Sequence, residues 1–133
     1  MKETNNLKPL TRAESEVMNL LWDHAQGLTV KELVECYPEP RPAYTTVGTF
    51  LKILEAKGFV EHRRVGGSGR TFVYSPLLTR ERYVKLVLSD VKDSIFGSSV
   101  KKMLSFFVQN EEIDEEELRE ILKMIKPTTD DAD

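Results

Sequence analysis

Between Tyr44 and Lys52 the chain reads YTTVGTFLK, which gathers a phenol, the hydroxyls of Thr45, Thr46 and Thr49, and an ammonium group. Further on, Arg63, Arg64 and Arg70 flank a Gly-Gly-Ser-Gly tip, and Arg41 precedes both groups. Short hydroxyls exchange hydrogen bonds with phosphates and base edges, and threonine methyls pack on thymine methyls. Guanidinium groups pair with phosphates or enter a narrow minor groove, giving affinity more than sequence choice. This chemistry suits holding a nucleic acid. Bond-breaking chemistry has no support: His24 and His62 are far apart, Cys36 is the only thiol, and no nucleophile–base pair or zinc spacing occurs. No enzyme activity, metal or cofactor is expected. The carboxylates from Asp114 to Glu117 read as compensation for a helix dipole.

Each of these residues also has a plainer reading. Thr45 and Thr46 would serve as helix caps. Tyr44 fits core or dimer packing as well as it fits DNA contact. His24 reads as a satisfied surface histidine, and His62 as a solvent-exposed group on the wing strand, with a phosphate contact as its alternative.

The elements that must carry these side chains follow from periodicity. Thr11 and Glu14 have capping-box spacing before an apolar face of Val17, Met18, Leu20 and Leu21, with a stop near Gly27. Leu28 suggests a short strand. Thr29 and Glu32 repeat the box before a short helix with Val30, Leu33 and Val34, which ends before Pro38. PEPRP, residues 38–42, is a stiff connector. A third helix is predicted from Ala43 to Lys57, stopped by Gly58, with Val47, Phe50, Leu51 and Leu54 on its buried stripe. Thr45, Thr49 and Lys52 face away from that stripe, and Thr46 lies near the boundary. Two strands follow, Phe59 to Val65 and Arg70 to Tyr74, joined by a turn whose glycines tolerate positive φ. A helix followed by a basic hairpin is the order of a winged helix-turn-helix domain, with the helix in the major groove and the hairpin at the backbone.

The net charge of −3 is unfavourable for such a role, so distribution decides. Residues 41–76 hold six basic and two acidic side chains, a local +4, whereas residues 109–133 hold three basic and ten acidic, a local −7. Phosphate contact depends on the local field. A single cysteine excludes an intramolecular disulfide and fits a reducing compartment. No leader follows Met1 and no apolar run approaches membrane-spanning length, so the expectation is a cytoplasmic protein with no direct membrane association.

Beyond Thr79 the pattern is helical throughout. Tyr83, Leu86, Val87 and Val91 make one stripe, and Val100, Met103, Leu104 and Phe107 a second, after a start at Ser98 or Ser99. Asp114 and Glu117 cap a last helix carrying Leu118, Ile121, Leu122 and Ile125, with Pro127 as its stop. So few residues bury little apolar surface alone. A second copy of the chain would cover them, unless they fold back on the preceding domain. The expected architecture is mainly α with a small antiparallel β wing. Residues 1–77 form the winged-helix DNA-binding domain, 78–127 a helical dimerisation region and 128–133 a disordered acidic tail. The rival reading is a winged-helix module for protein–protein contact without sequence-specific DNA binding.

The stretches LTRAESEVMNLLWD (10–23), LTVKELVE (28–35), TTVGTFLKILEAKGFV (45–60) and GRTFVYSPL (69–77) resemble the BlaI/MecI family of bacterial penicillinase repressors. FVQNEEIDEEELREIL (107–122) matches more loosely. The resemblance implies a homodimer that binds a palindromic operator and blocks transcription. It also implies release when a membrane-bound sensor metalloprotease, responsive to β-lactam or other envelope stress, triggers cleavage in the dimerisation region. Two positions depart from the family. Ile53 stands where an arginine is common, and the Asn-Phe bond cleaved in relatives aligns with Phe106-Phe107. The cysteine cluster of the copper-sensing branch is absent.

Overall fold

The computed structural model describes residues 9–66, 71–110 and 113–131, with side chains through Met124. Its elements are α1 (Arg12–Trp22), α2 (Val30–Cys36), α3 (Tyr44–Ala56), β1 (Val60–Val65), β2 (Thr71–Pro76), α4 (Arg80–Ile95), α5 (Val100–Asn110) and α6 (Glu115–Asp131). Two compact units result, one ending at Leu88 and one beginning at Ser89. The fold is mainly helical with one two-stranded antiparallel sheet, the winged-helix arrangement the sequence predicts.

In the first unit, three helices and the hairpin enclose one core. Val17, Met18, Leu21, Leu33, Val47, Leu51, Leu54, Phe59 and Val60 have no accessible surface. Full burial of such side chains stabilises by about 1.5–3 kcal/mol each. Both predicted capping boxes form: Thr11 with Glu14, and Thr29 with Glu32. The α3 C-terminus closes as a Schellman motif, with Gly58 N–H donating to Glu55 O and Phe59 N–H to Leu54 O. Gly58 occupies the required left-handed position at φ +89°.

Leu28 contributes a single bridge in place of a strand: its N–H donates to Tyr74 O at 2.9 Å, and Tyr74 N–H returns a bond at 2.8 Å. Gly27 makes this possible. It has φ +110°, and a Cβ there would collide with Val73 Cγ1. Beyond the hairpin, Trp22 Nε1 donates to Leu78 O at 2.7 Å, and Leu10 N–H donates to the Tyr83 hydroxyl at 2.9 Å. The Tyr83 ring lies edge-on to Phe59, and the Arg80 guanidinium covers Trp22. The first turns of α4 are thus tied to the winged unit.

In the second unit, Ser99 is the cap of α5, its hydroxyl accepting from Lys102 N–H. Asp114 and Glu117 form the third predicted box. The last helix runs on through Pro127 to Asp131, where the sequence reading stops it at Pro127 and starts a disordered tail at residue 128. Proline removes one N–H but keeps a helix-compatible φ, so it need not terminate a helix. Neither α4 nor α5 has a buried residue.

Glu14 joins two of these features. It is only 5% exposed, closes the α1 capping box, and accepts from Lys57 Nζ at 2.8 and 3.0 Å. Lys57 is the C-cap of α3, so one carboxylate links the start of α1 to the end of α3. Burial pushes this carboxyl up, but the Lys57 ammonium and the Thr11 amide and hydroxyl outweigh burial and hold it below the ordinary 4.5. A lowered value means stabilisation that is complete above pH 4.5 and lost as pH falls through the folded value. Glu14→Gln should therefore cost on the order of 2 kcal/mol near neutrality. In urea denaturation, the gap from the parent chain should narrow below pH 4.5. A gap independent of pH would show that the ion pair contributes nothing.

Candidate nucleic-acid interface

With Val47, Leu51 and Leu54 buried, α3 must turn its other side outward. That side borders an open groove of about 620 Å³, closed by the first turn of α2 and by the beginning of β2. Tyr44, Thr45, Gly48, Thr49 and Lys52 line it from α3, Thr29, Val30 and Lys31 from α2, and Thr71, Phe72 and Tyr74 from β2. Tyr44 is 59% exposed, so it is not a core residue. Neither Thr45 nor Thr46 caps the helix: the N-cap is Ala43, which has no side-chain cap bond, because both threonines already lie inside the first turn. Their hydroxyls are not consumed as caps.

Thr49 Oγ1 donates to Thr45 O at 3.0 Å. Its hydrogen is spent within the helix, and its lone pairs face the groove as acceptors. Thr46 is separated from the others. It lines a different cleft, with Leu20 of α1 and Pro38, Pro40 and Pro42 of the connector. Arg41 is engaged locally: Nε donates to Tyr37 O at 3.3 Å, and Nη1 lies 3.6 Å from Glu39 Oε2.

The hairpin register divides the arginines. Arg64 pairs with Phe72 and His62 with Tyr74, whereas Arg63 pairs with Val73 on the opposite face. The Arg64 guanidinium lies 5.7 Å from the centre of the Phe72 ring, beside the groove. Arg63 Nη2 instead reaches Gln26 O at 3.3 Å. Alternation of side chains along a strand makes this division unavoidable. Arg70 lies outside the described residues.

His62 is exposed, as expected, and it also has a partner. Its Nδ1 is 2.7 Å from Glu55 Oε2, and its ring meets Phe72 edge-on at 4.9 Å. A carboxylate only accepts, so Nδ1 carries the proton. The pair ties the last turn of α3 to β1 and occupies an acid that would otherwise lie near the groove. Glu32 is likewise held by Thr29. His24 is satisfied as expected, its Nδ1 lying 2.9 Å from Leu20 O. Lys31 and Lys52 have no ion-pair partner among the described residues, so two uncompensated cations border one groove. Sequence reasoning passed over Lys31, Gly48, Thr71 and Phe72. A charge count begun at residue 41 excludes Lys31, although a lysine two positions after a capping threonine lies in the first turn of its helix.

Among the described residues no cluster of His, Cys, Asp or Glu could hold a metal ion, and no helix is long and apolar enough to cross a membrane. The penicillinase repressor of Bacillus licheniformis is 25% identical over 117 residues, covering 88% of this chain and 89% of that protein. Among solved structures, MepR, a transcription regulator of the Staphylococcus aureus multidrug efflux pump MepA, is 22% identical with a TM-score of 0.46. That match covers 93% of this chain and 81% of MepR. A MarR protein from Peptoclostridium difficile is 14% identical with a TM-score of 0.42, covering 92% of this chain and 71% of that one. Residues 10–127 match the penicillinase repressor family, and the chain therefore belongs to that family of transcriptional repressors, which are not enzymes.

Proposed function

We propose that the chain is a homodimeric repressor that lays α3 into the major groove of a palindromic operator. The observation that carries this reading is the groove itself, fronted by the hydroxyls of Tyr44, Thr45 and Thr49 and flanked by Lys31 and Lys52. Short hydroxyls read base edges, while the two lysines and Arg64 meet phosphates on either side. Arg41 and Arg63 are secondary contributors, because each would first leave a backbone carbonyl. Arg70, which follows the Gly-Gly-Ser-Gly run in sequence, belongs with the phosphate contacts, and Thr46 stands at the edge of the contact surface.

Dimerisation is the second part of the proposal. Val100, Leu104, Phe107, Ile121 and Leu122 are all more than two-fifths exposed in a single chain. Leu86, Val87, Val91, Met103 and Leu118 are partly covered. An apolar surface this extensive calls for a partner, and an identical chain supplies a complementary one. Ile125 extends the stripe in sequence, although its side chain lies outside the described residues. Two tethered reading heads gain from effective concentration, and a single half-site is too small for specific binding. Cutting or separating the C-terminal helices would then release the operator. The Phe106-Phe107 bond lies within α5, so a sensor metalloprotease would act only after local unwinding. β-Lactam or another envelope stress is the proposed signal.

Two measurements test this reading. Anisotropy titration against duplex DNA containing the operator should give a log K versus log salt slope of about −0.9 per phosphate engaged. Lys52→Ala should flatten it by roughly one per protomer. A slope near zero would exclude phosphate contact and favour a protein–protein module. In sedimentation, the parent chain should be a dimer and Phe107→Asp a monomer, with affinity reduced at least about ten-fold. A parent chain that sediments as a monomer would remove the tether.

A further inference from the structure

Gly48 is unexplained by the fold. It lies in the interior of α3, where alanine is the better helix former. Its φ is not among the positive ones, so no backbone demand calls for glycine. A Cβ placed there would have no neighbour within 4 Å, so no packing demand does either. Yet it sits in the open groove, one residue before Thr49 and three after Thr45. The reason for a missing side chain must then lie outside the chain.

We infer that Gly48 is the point of closest approach between α3 and the base edges of bound DNA, an assignment that rests on the operator-binding reading above. The argument is one of reach. Threonine hydroxyls stand only a short distance from the helix axis, so Thr45 and Thr49 touch bases only if the helix sits deep. A methyl group at position 48 would hold the helix off by up to a C–C bond, roughly 1.5 Å. A hydrogen bond near 2.9 Å does not survive such a displacement. Lys31, Lys52 and Arg64 have long, flexible stems and would follow the phosphates outward. Glycine at this position therefore sets specificity, while general DNA affinity is left to the cations.

The test uses the full chain. A duplex is enriched from a random-sequence pool by the unaltered protein, and a scrambled duplex serves as control. Gly48→Ala should raise the melting temperature by about 4 °C, as a better helix former does. It should weaken binding of the enriched duplex roughly ten-fold, the size of one lost base contact. Binding of the scrambled duplex should stay unchanged. Equal affinity of both proteins for the enriched duplex would overturn the inference and leave the operator reading intact. A parallel loss on both duplexes, or a lowered melting temperature, would also overturn it, since glycine would then serve the fold. Failure of the unaltered chain to enrich any duplex would remove the operator reading, and this inference with it.

Discussion

The two faces of α3 constrain everything else in the winged unit. Val47, Leu51 and Leu54 have no accessible surface, and their burial sets the rotation of the helix about its axis. Once that rotation is set, Tyr44, Thr45, Gly48, Thr49 and Lys52 have nowhere to point but outward. The C-terminal end of the helix is held by several contacts. A Schellman turn at Gly58 leads directly into β1, and the Glu14–Lys57 pair ties the same end to the start of α1. The His62–Glu55 contact fastens the hairpin to the last turn of the helix. The proposed reading surface, with its short side chains, would require this rigidity, because a hydroxyl cannot compensate for a misplaced backbone.

Acidic groups near the groove are occupied: Glu55 by His62 and Glu32 by its own cap. Lys31 and Lys52 lack such partners among the described residues. A chain with net charge −3 can still present a local positive field, because basic side chains outnumber acidic ones over residues 41–76 and Lys31 adds to them at the groove. The surplus of acid lies in residues 109–133, which include α6.

Much of this was legible in the residues. Capping boxes at Thr11, Thr29 and Asp114 form as their spacing predicts, because they are local bonds across three residues. The stripe on α3 and the stop at Gly58 are equally local. The extent of α6 was not legible, since a proline near a helix end is compatible with either outcome. Alternation alone puts Arg63 and Arg64 on opposite faces of the wing. What alternation does not reveal is which face borders the groove. Helical spacing puts Thr46 near the boundary of the outward face, and the structure turns it toward the proline connector.

Composition and periodicity by themselves determined the element order, the buried stripe of α3, the basic hairpin and the apolar faces of the later helices. These depend on neighbours within a turn or a strand pair, where spacing is enough. Only the tertiary structure decided that Lys31 joins α3 across the α2 turn, that Glu14 finds Lys57, and that His62 takes Glu55. It also decided that Gly48 opens into the groove and not into the core. Each of these depends on where separate elements meet, and contacts between residues distant in sequence leave no periodic trace.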